Sequence, residues 1–326
     1  MNDLAQTGKR PHARERVLCV ALNCGIDKVY DCRGFALTGI HQPARWLTCA
    51  GGKAVNQARM LHALGIDVLV TGFAGGFVGR ATEDQLRCEG IPHDFERVQD
   101  ESRLAITVID PERGVHTEVN ELGPHVTSNE LADFIERYSC LLADVCLAAF
   151  AGSAPPGVGP SIYGQLIRMA KARGVATFLD ARGEWLRQGV LAGPDMVKPN
   201  QAELGHLLGR VPSGIREMAL AAAELCARGV RQVVVTLGAD GALGVSEGVA
   251  LHGWLEPVPV ESAVGSGDAF AAALSAGWVR GAPLEESLRR GIACGTASAM
   301  RLGPAFVYRD EVDCLADRVR MEPVPI

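Results

Sequence analysis

The chain has little lysine: five residues against twenty-seven arginines, in a sequence of 326. With a formal charge of −6 and no long basic stripe, it offers no general attraction to nucleic acid or to an anionic membrane. No apolar run is long enough to span a bilayer, since the stretch from Leu141 to Ala154 is broken by Asp144. Residues 1–16 are polar and basic without the apolar segment that export needs, and are expected to form a flexible extension. The ten cysteines include no Cys-x-x-Cys pair and no histidine at zinc-ligand spacing. They are read as buried free thiols, which indicates a reducing, cytoplasmic setting. No Gly-x-Gly-x-x-Gly follows the first apolar strand, so a dinucleotide-dependent dehydrogenase has no basis here.

What is present is alternation. Short apolar runs at Val17 to Leu22, Asp67 to Thr71, Asp144 to Phe150, Ala176 to Leu179, Met196 to Val197 and Gln232 to Thr236 are separated by helical patterns. The helical patterns fall at 52–64, 129–142, 161–173, 201–208, 215–227, 268–279 and 283–300, several ending in Leu-Gly or Arg-Gly as a glycine C-cap produces. This order predicts an α/β class with a mostly parallel sheet. Residues 28–48 and 94–121 break the pattern with alternating segments and turn residues, and are expected to form an antiparallel insertion: a lid, or a dimer interface.

Four places carry residues suited to chemistry. In Val264-Gly265-Ser266-Gly267-Asp268, two glycines allow a tight turn and the following helix start directs free N–H groups at a ligand. Asp268 would then be a base beside a phosphoryl group held by amides; the plain reading is an N-capped loop. Asp27 lies past the first strand, where open α/β sheets place ligands, or is a surface-turn aspartate. Gly51 and Gly52 precede a helix carrying Lys53 and Asn56, which suits a polyol or phosphate but is not a Walker A loop, because position 47 is leucine and Lys53 is followed by alanine. Lys198 leads into Asn200 and Glu203, one helical turn apart. Those two could hold Mg²⁺-bound waters or simply cap a helix. Thr236, Gly238 and Gly241 follow a β-branched strand and form either a nucleotide-binding turn or a plain hairpin.

Gly51-Gly52-Lys53 with Asn56, and Gly265-Ser266-Gly267-Asp268, occur in the order found in ribokinase-like (PfkB) carbohydrate kinases, which the chain resembles from about residue 17 to 316. Segments around Asn23 to Asp27, Thr117 to Pro124, Ala151 to Gly157 and Val197 to Glu203 resemble the phosphofructokinase branch. The resemblance implies a three-layer α/β/α domain over 17–326 with a small β lid, ATP as phosphoryl donor, and Mg²⁺. Asp268 would take the proton from the sugar hydroxyl while amides of Gly265, Ser266 and Gly267 form an anion hole. Asp27, Gly51, Gly52 and Asn56 would hold the sugar, with Lys53, Arg103, Gly152 and Ser153 receiving its phosphate. Lys198, Asn200, Thr236, Gly238 and Gly241 would line the nucleotide side, Glu203 and Asn200 would organise Mg²⁺ through water, and the helix around Cys294 and Ser298 would flank the adenine. The implied activity is a hexose-phosphate kinase, with fructose 1-phosphate first and tagatose 6-phosphate or fructose 6-phosphate next, dimeric through the lid. Departures from the branch at Cys24, Ala54 and Ala105 fall on the sugar side, and Ser266 replaces an alanine while keeping its amide. A sugar- or nucleotide-binding regulator that lost the chemistry is the rival reading.

Overall fold

A computed structural model describes residues 15–303 and 306–326; most of the expected N-terminal extension, residues 1–14, lies outside the described residues. β1 (Val17–Ala21) leads into β2 (Gly25–Asp31) and β3 (Arg45–Gly51) of a lid, followed by α1 (Lys53–Ala63), β4 (Val68–Gly75), α2 (Gly76–Cys88) and β5 (His93–Val98). The chain returns to the lid as β6 (Arg103–Asp110) and β7 (Val115–Asn120). It then runs α3 (Ser128–Leu141), β8 (Leu147–Ala151), α4 (Ile162–Ala172), β9 (Ala176–Asp180), α5 (Gly183–Val190), β10 (Met196–Val197), α6 (Gln201–Leu208) and α7 (Gly214–Ala227). β11 (Gln232–Thr236), β12 (Ala242–Ser246), β13 (Val249–Trp254), α8 (Ser266–Val279), α9 (Leu284–Ala299), α10 (Arg309–Arg318) and β14 (Arg320–Pro323) complete it.

The large sheet has ten strands in the order β14-β13-β12-β11-β10-β9-β8-β1-β4-β5. From β11 to β5 neighbouring strands are parallel, while β12, β13 and β14 add an antiparallel edge. β1 and β8 are buried along their whole length, as strands covered on both faces must be, so they read as unbroken apolar runs. Alternate residues of β1 enter opposite cores. Val17, Cys19 and Ala21 pack with α1, α8 and α9, whereas Leu18 and Val20 pack with α3, α4 and α7. The result is the three-layer arrangement expected.

The lid is a four-stranded sheet, β3-β2-β6-β7. Its membership differs from the expected segments, because residues 93–98 pair in parallel with β4 in the large sheet rather than joining the lid. It is also not wholly antiparallel, since β2 and β6 run the same way. Helices α2 and α5 were not expected, because each contains two glycines that lower helix propensity. Packing explains them: a Cβ on Gly79 would come within 2.9 Å of the Ala74 carbonyl carbon, and one on Gly189 within 2.5 Å of a Leu179 methyl. All ten cysteines are free, but Cys88, Cys140 and Cys314 are exposed rather than buried. Among the described residues no helix is long and apolar enough to cross a membrane.

Candidate active site

Along the C-terminal edge of the large sheet, from β1 toward β11, the strands deliver Asn23, then Gly152 with Ser153, then Asp180, then Lys198 with Asn200, then Thr236. Open α/β sheets present ligand-binding loops at this edge. Between it, the lid and the start of α8 lies a cleft of about 340 Å³. Asp27, Gly52, Lys53, Asn56, Arg103, Gly152, Ser153, Gly265, Gly267 and Asp268 all line it, so residues over two hundred positions apart meet as expected.

Gly265 starts α8 in a left-handed conformation, φ 77°, which places Asp268 in the first helical turn, only 6% exposed. Asn56 Nδ2 donates to Asp268 Oδ2 at 2.9 Å. Burial pushes the Asp268 carboxyl up to about 6, against the pull of Lys53. A group in that range is ionised at neutral pH yet basic enough to accept a proton. Of the three amides expected to face a ligand, one is engaged: the Ser266 N–H bonds to the Ala263 carbonyl at 3.2 Å, and its hydroxyl to the same oxygen at 2.8 Å. The turn closes on itself at that residue. Gly265 and Gly267 line the cleft, and their N–H groups have no acceptor among the described residues.

Asp180 was not singled out from sequence, and it organises the site's cations. Wholly buried at the end of β9, it accepts from Lys53 Nζ at 3.1 Å and Gln57 Nε2 at 3.1 Å, and Lys198 Nζ lies 3.2 Å away. Burial alone would raise its carboxyl, but Lys198 and Lys53 together hold it below the usual range. Burial would likewise lower the Lys53 ammonium, yet Asp180 and Asp268 keep it above its ordinary value. Two scarce lysines are thus fixed beside the start of α8. A Cβ on Gly267 would lie 3.9 Å from Lys198 Nζ.

On the lid side, burial raises the Asp27 carboxyl, with Arg103 opposing. Gly51 lies beneath Asp27 rather than in the cleft. A Cβ there would come 2.0 Å from Asp27 Cγ, so only glycine lets that carboxylate occupy its place. Arg103 Nε donates to the Asn23 carbonyl at 2.9 Å. The lid also contributes Ala105, Thr107, His116, Glu118 and Asn120. Period-two alternation along β6 and β7 was the available signal for these, since every second residue faces the same side.

Lys198, Asn200, Thr236, Gly238 and Gly241 do not line this cleft but continue along the same sheet edge, with Thr236 N–H bonded to the Pro199 carbonyl at 3.1 Å. Gly241, φ 82°, packs so closely on β13 that a Cβ would meet the Gly253 oxygen at 2.0 Å. Asn200 and Glu203 form a reciprocal capping box, Glu203 N–H to Asn200 Oδ1 at 2.8 Å and Asn200 N–H to Glu203 Oε2 at 2.9 Å. Among the described residues no group of three or more His, Cys, Asp or Glu could hold a metal. With only part of the Glu203 carboxylate left over, the pair fits an ion that keeps its waters and takes its other ligands from a nucleotide. Cys294 and Ser298 are both buried, and Cys294 lines a separate cavity near the far ends of α1 and α8.

Comparison with known proteins agrees with this geometry. Residues 15–310 match the model of the pfkB family of carbohydrate kinases. A 1-phosphofructokinase from Rhodobacter capsulatus is 31% identical over 311 residues, covering 95% of this chain and 98% of that protein. A tagatose-6-phosphate kinase from Staphylococcus epidermidis is 29% identical over 300 residues, covering 91% and 96%. Phosphofructokinase-2 from Escherichia coli, solved with fructose-6-phosphate, superimposes with a TM-score of 0.84 at 27% identity, covering 93% of this chain and 98% of that one. Its tetrameric inhibited form gives 0.85. With the match spanning nearly its whole length, the chain belongs to the pfkB family of carbohydrate kinases, phosphotransferases whose acceptor is an alcohol group.

Proposed function

We propose that the chain transfers the γ-phosphoryl group of ATP to a hexose phosphate, with fructose 1-phosphate as acceptor and fructose 1,6-bisphosphate as product. The observation that carries this reading is one cleft in which a buried base meets two outward amides, Lys53 and, from the lid, an arginine, with Lys198 held beside it on the same Asp180. Asp268 takes the proton of the attacking hydroxyl. The Gly265 and Gly267 amides and the Lys53 and Lys198 ammonium groups stabilise charge on the transferring group, and one preorganised donor of this kind is worth roughly 10² to 10³ in rate. Asp27 and Asn56 orient the sugar hydroxyls. Asn200 and Glu203 would hold Mg²⁺ through water, where it would neutralise the nucleotide phosphates.

The acceptor's existing phosphate is the finer part of the proposal. It is supported by cations facing the sugar side, and by relatives named for sugar-phosphate substrates. A dimer through the lid is supported by the lid's other face, where Trp46, Tyr30 and Val108 stand in register beside Ile106 and Val119. Trp46 is 66% exposed and Val119 61%, more apolar surface than a lone sheet ordinarily leaves to water. A coupled ADP-release assay over fructose 1-phosphate, tagatose 6-phosphate and fructose 6-phosphate, with ribose and nucleosides as controls, tests the function. Turnover is expected on hexose phosphates; turnover on unphosphorylated sugars alone would overturn the acceptor assignment.

A further inference from the structure

The cations expected to receive the sugar's phosphate are partly committed already. Lys53 Nζ is 3.1 Å from Asp180, and Arg103 uses its Nε on the Asn23 carbonyl while lying beside Asp27. Three carboxylates, Asp27, Glu118 and Asp268, face the same space. A dianionic group entering there needs positive charge that no protein carboxylate has claimed.

Arg182 has that charge. It lines the cleft and is exposed, and among the described residues its guanidinium makes no ion pair or hydrogen bond. The two carboxylates nearest in sequence are taken elsewhere, Glu184 by Arg187 at 2.6 and 2.7 Å and Asp180 by Lys53 and Lys198. Arg182 stands two residues beyond Asp180, at the start of α5. The neighbouring strand β8 ends in the Gly152–Ser153 turn, which is tied to this one by the Gly152 N–H donating to the Asp180 carbonyl at 3.1 Å. Gly152, φ 88°, lines the cleft, and Ser153 Oγ accepts from Asn23 Nδ2 at 3.3 Å. This corner belongs to β8, β9 and β1, which the proposed function gives to the sugar, whereas it gives β10 and β11 to the nucleotide.

We propose that Arg182 is a specificity-determining residue, a guanidinium that works with Ser153 to hold the phosphate already present on the acceptor sugar. The proposal rests on the hexose-phosphate kinase reading. A planar guanidinium grips phosphate oxygens through two parallel N–H bonds, which an ammonium cannot reproduce. The test is steady-state kinetics of wild type, Arg182→Ala and Arg182→Lys with fructose 1-phosphate and ATP varied separately, together with calorimetric titration of fructose 1-phosphate into each protein without ATP. Arg182→Ala is expected to raise KM and weaken binding of fructose 1-phosphate about 10- to 100-fold, with kcat changed less than about threefold, KM for ATP unchanged, and Arg182→Lys intermediate. Unchanged KM and affinity for the sugar phosphate would overturn the assignment, as would a loss confined to KM for ATP, which would place Arg182 on the nucleotide. If wild type binds fructose 1-phosphate at least tenfold more tightly than Arg182→Ala but turns over no sugar phosphate, the kinase reading falls and Arg182 stands. If wild type neither binds nor turns it over, both fall.

Discussion

Replacing Asp268 by asparagine removes the proton acceptor and a buried charge together, and the two consequences run in opposite directions. The folded chain holds this carboxyl at about 6, against 3.8 for an ordinary one, so folding binds its proton more tightly. Stability from that proton is present at low pH and is lost as the pH rises from 3.8 to about 6. Above that window the ionised carboxylate costs up to about 3 kcal/mol, at about 1.4 kcal/mol per pH unit. Asparagine carries no such cost and can still accept from Asn56, although it gives up the attraction of Lys53 and Lys198. D268N is therefore expected to be more stable than wild type at pH 8 by about 1–3 kcal/mol, with the advantage gone near pH 4. Its turnover should fall by about 10² to 10⁴, while sugar and ATP binding persist. Urea unfolding at pH 8 and pH 4, paired with ADP release at pH 8, measures both. Turnover within tenfold of wild type would refute the role of base, and equal stability at both pH values would refute the strained carboxylate.

The same reasoning reaches neighbouring residues. Wild-type kcat/KM should fall about tenfold per pH unit below pH 6, and Asn56→Ala, which withdraws a hydrogen bond from the charged Asp268, should move that acid limb up by about one pH unit in a pH–rate profile. Gly51→Ala should displace the Asp27 carboxylate and raise KM for the sugar about tenfold or more while leaving KM for ATP alone, as initial-rate kinetics would show. Asp180→Asn leaves the buried Lys198 and the partly exposed Lys53 short of a partner and, chiefly through Lys198, should cost about 3–5 kcal/mol at pH 7 in urea unfolding. Because the Asp180 carboxyl is lowered in the folded chain, that difference should be present above its ordinary value and vanish as the pH falls through the folded one. Glu203→Gln keeps a side chain able to cap α6 but loses charge, so a Mg²⁺ titration of the rate should shift to higher concentration without loss of stability.

Asp268 and Gly51-Gly52-Lys53 were legible in the sequence because their chemistry is written locally, in glycines set beside a carboxylate or a scarce lysine. Asp180 was not, because one aspartate ending an apolar strand looks like any other until Lys53 and Lys198, 127 positions before it and 18 after, are brought against it. The same limit applies to Arg182 and to His116, Glu118 and Asn120, whose meaning depends on which face of a turn or strand meets the cleft. The large sheet was readable where strands are buried on both sides, as in β1 and β8. Its antiparallel edge, β12 to β14, was not, because Gly241, Gly248 and Pro323 interrupt the pattern. β5 was assigned to the lid because alternation reports a half-buried strand without naming its partner.

The most direct test of the central claim is the product formed from ATP and fructose 1-phosphate, followed by phosphorus-31 NMR. A second phosphomonoester appearing in step with ADP, giving fructose 1,6-bisphosphate with wild type and none with D268N, is the expected result. ADP released with inorganic phosphate and no new ester, or an ester formed equally by D268N, would contradict it.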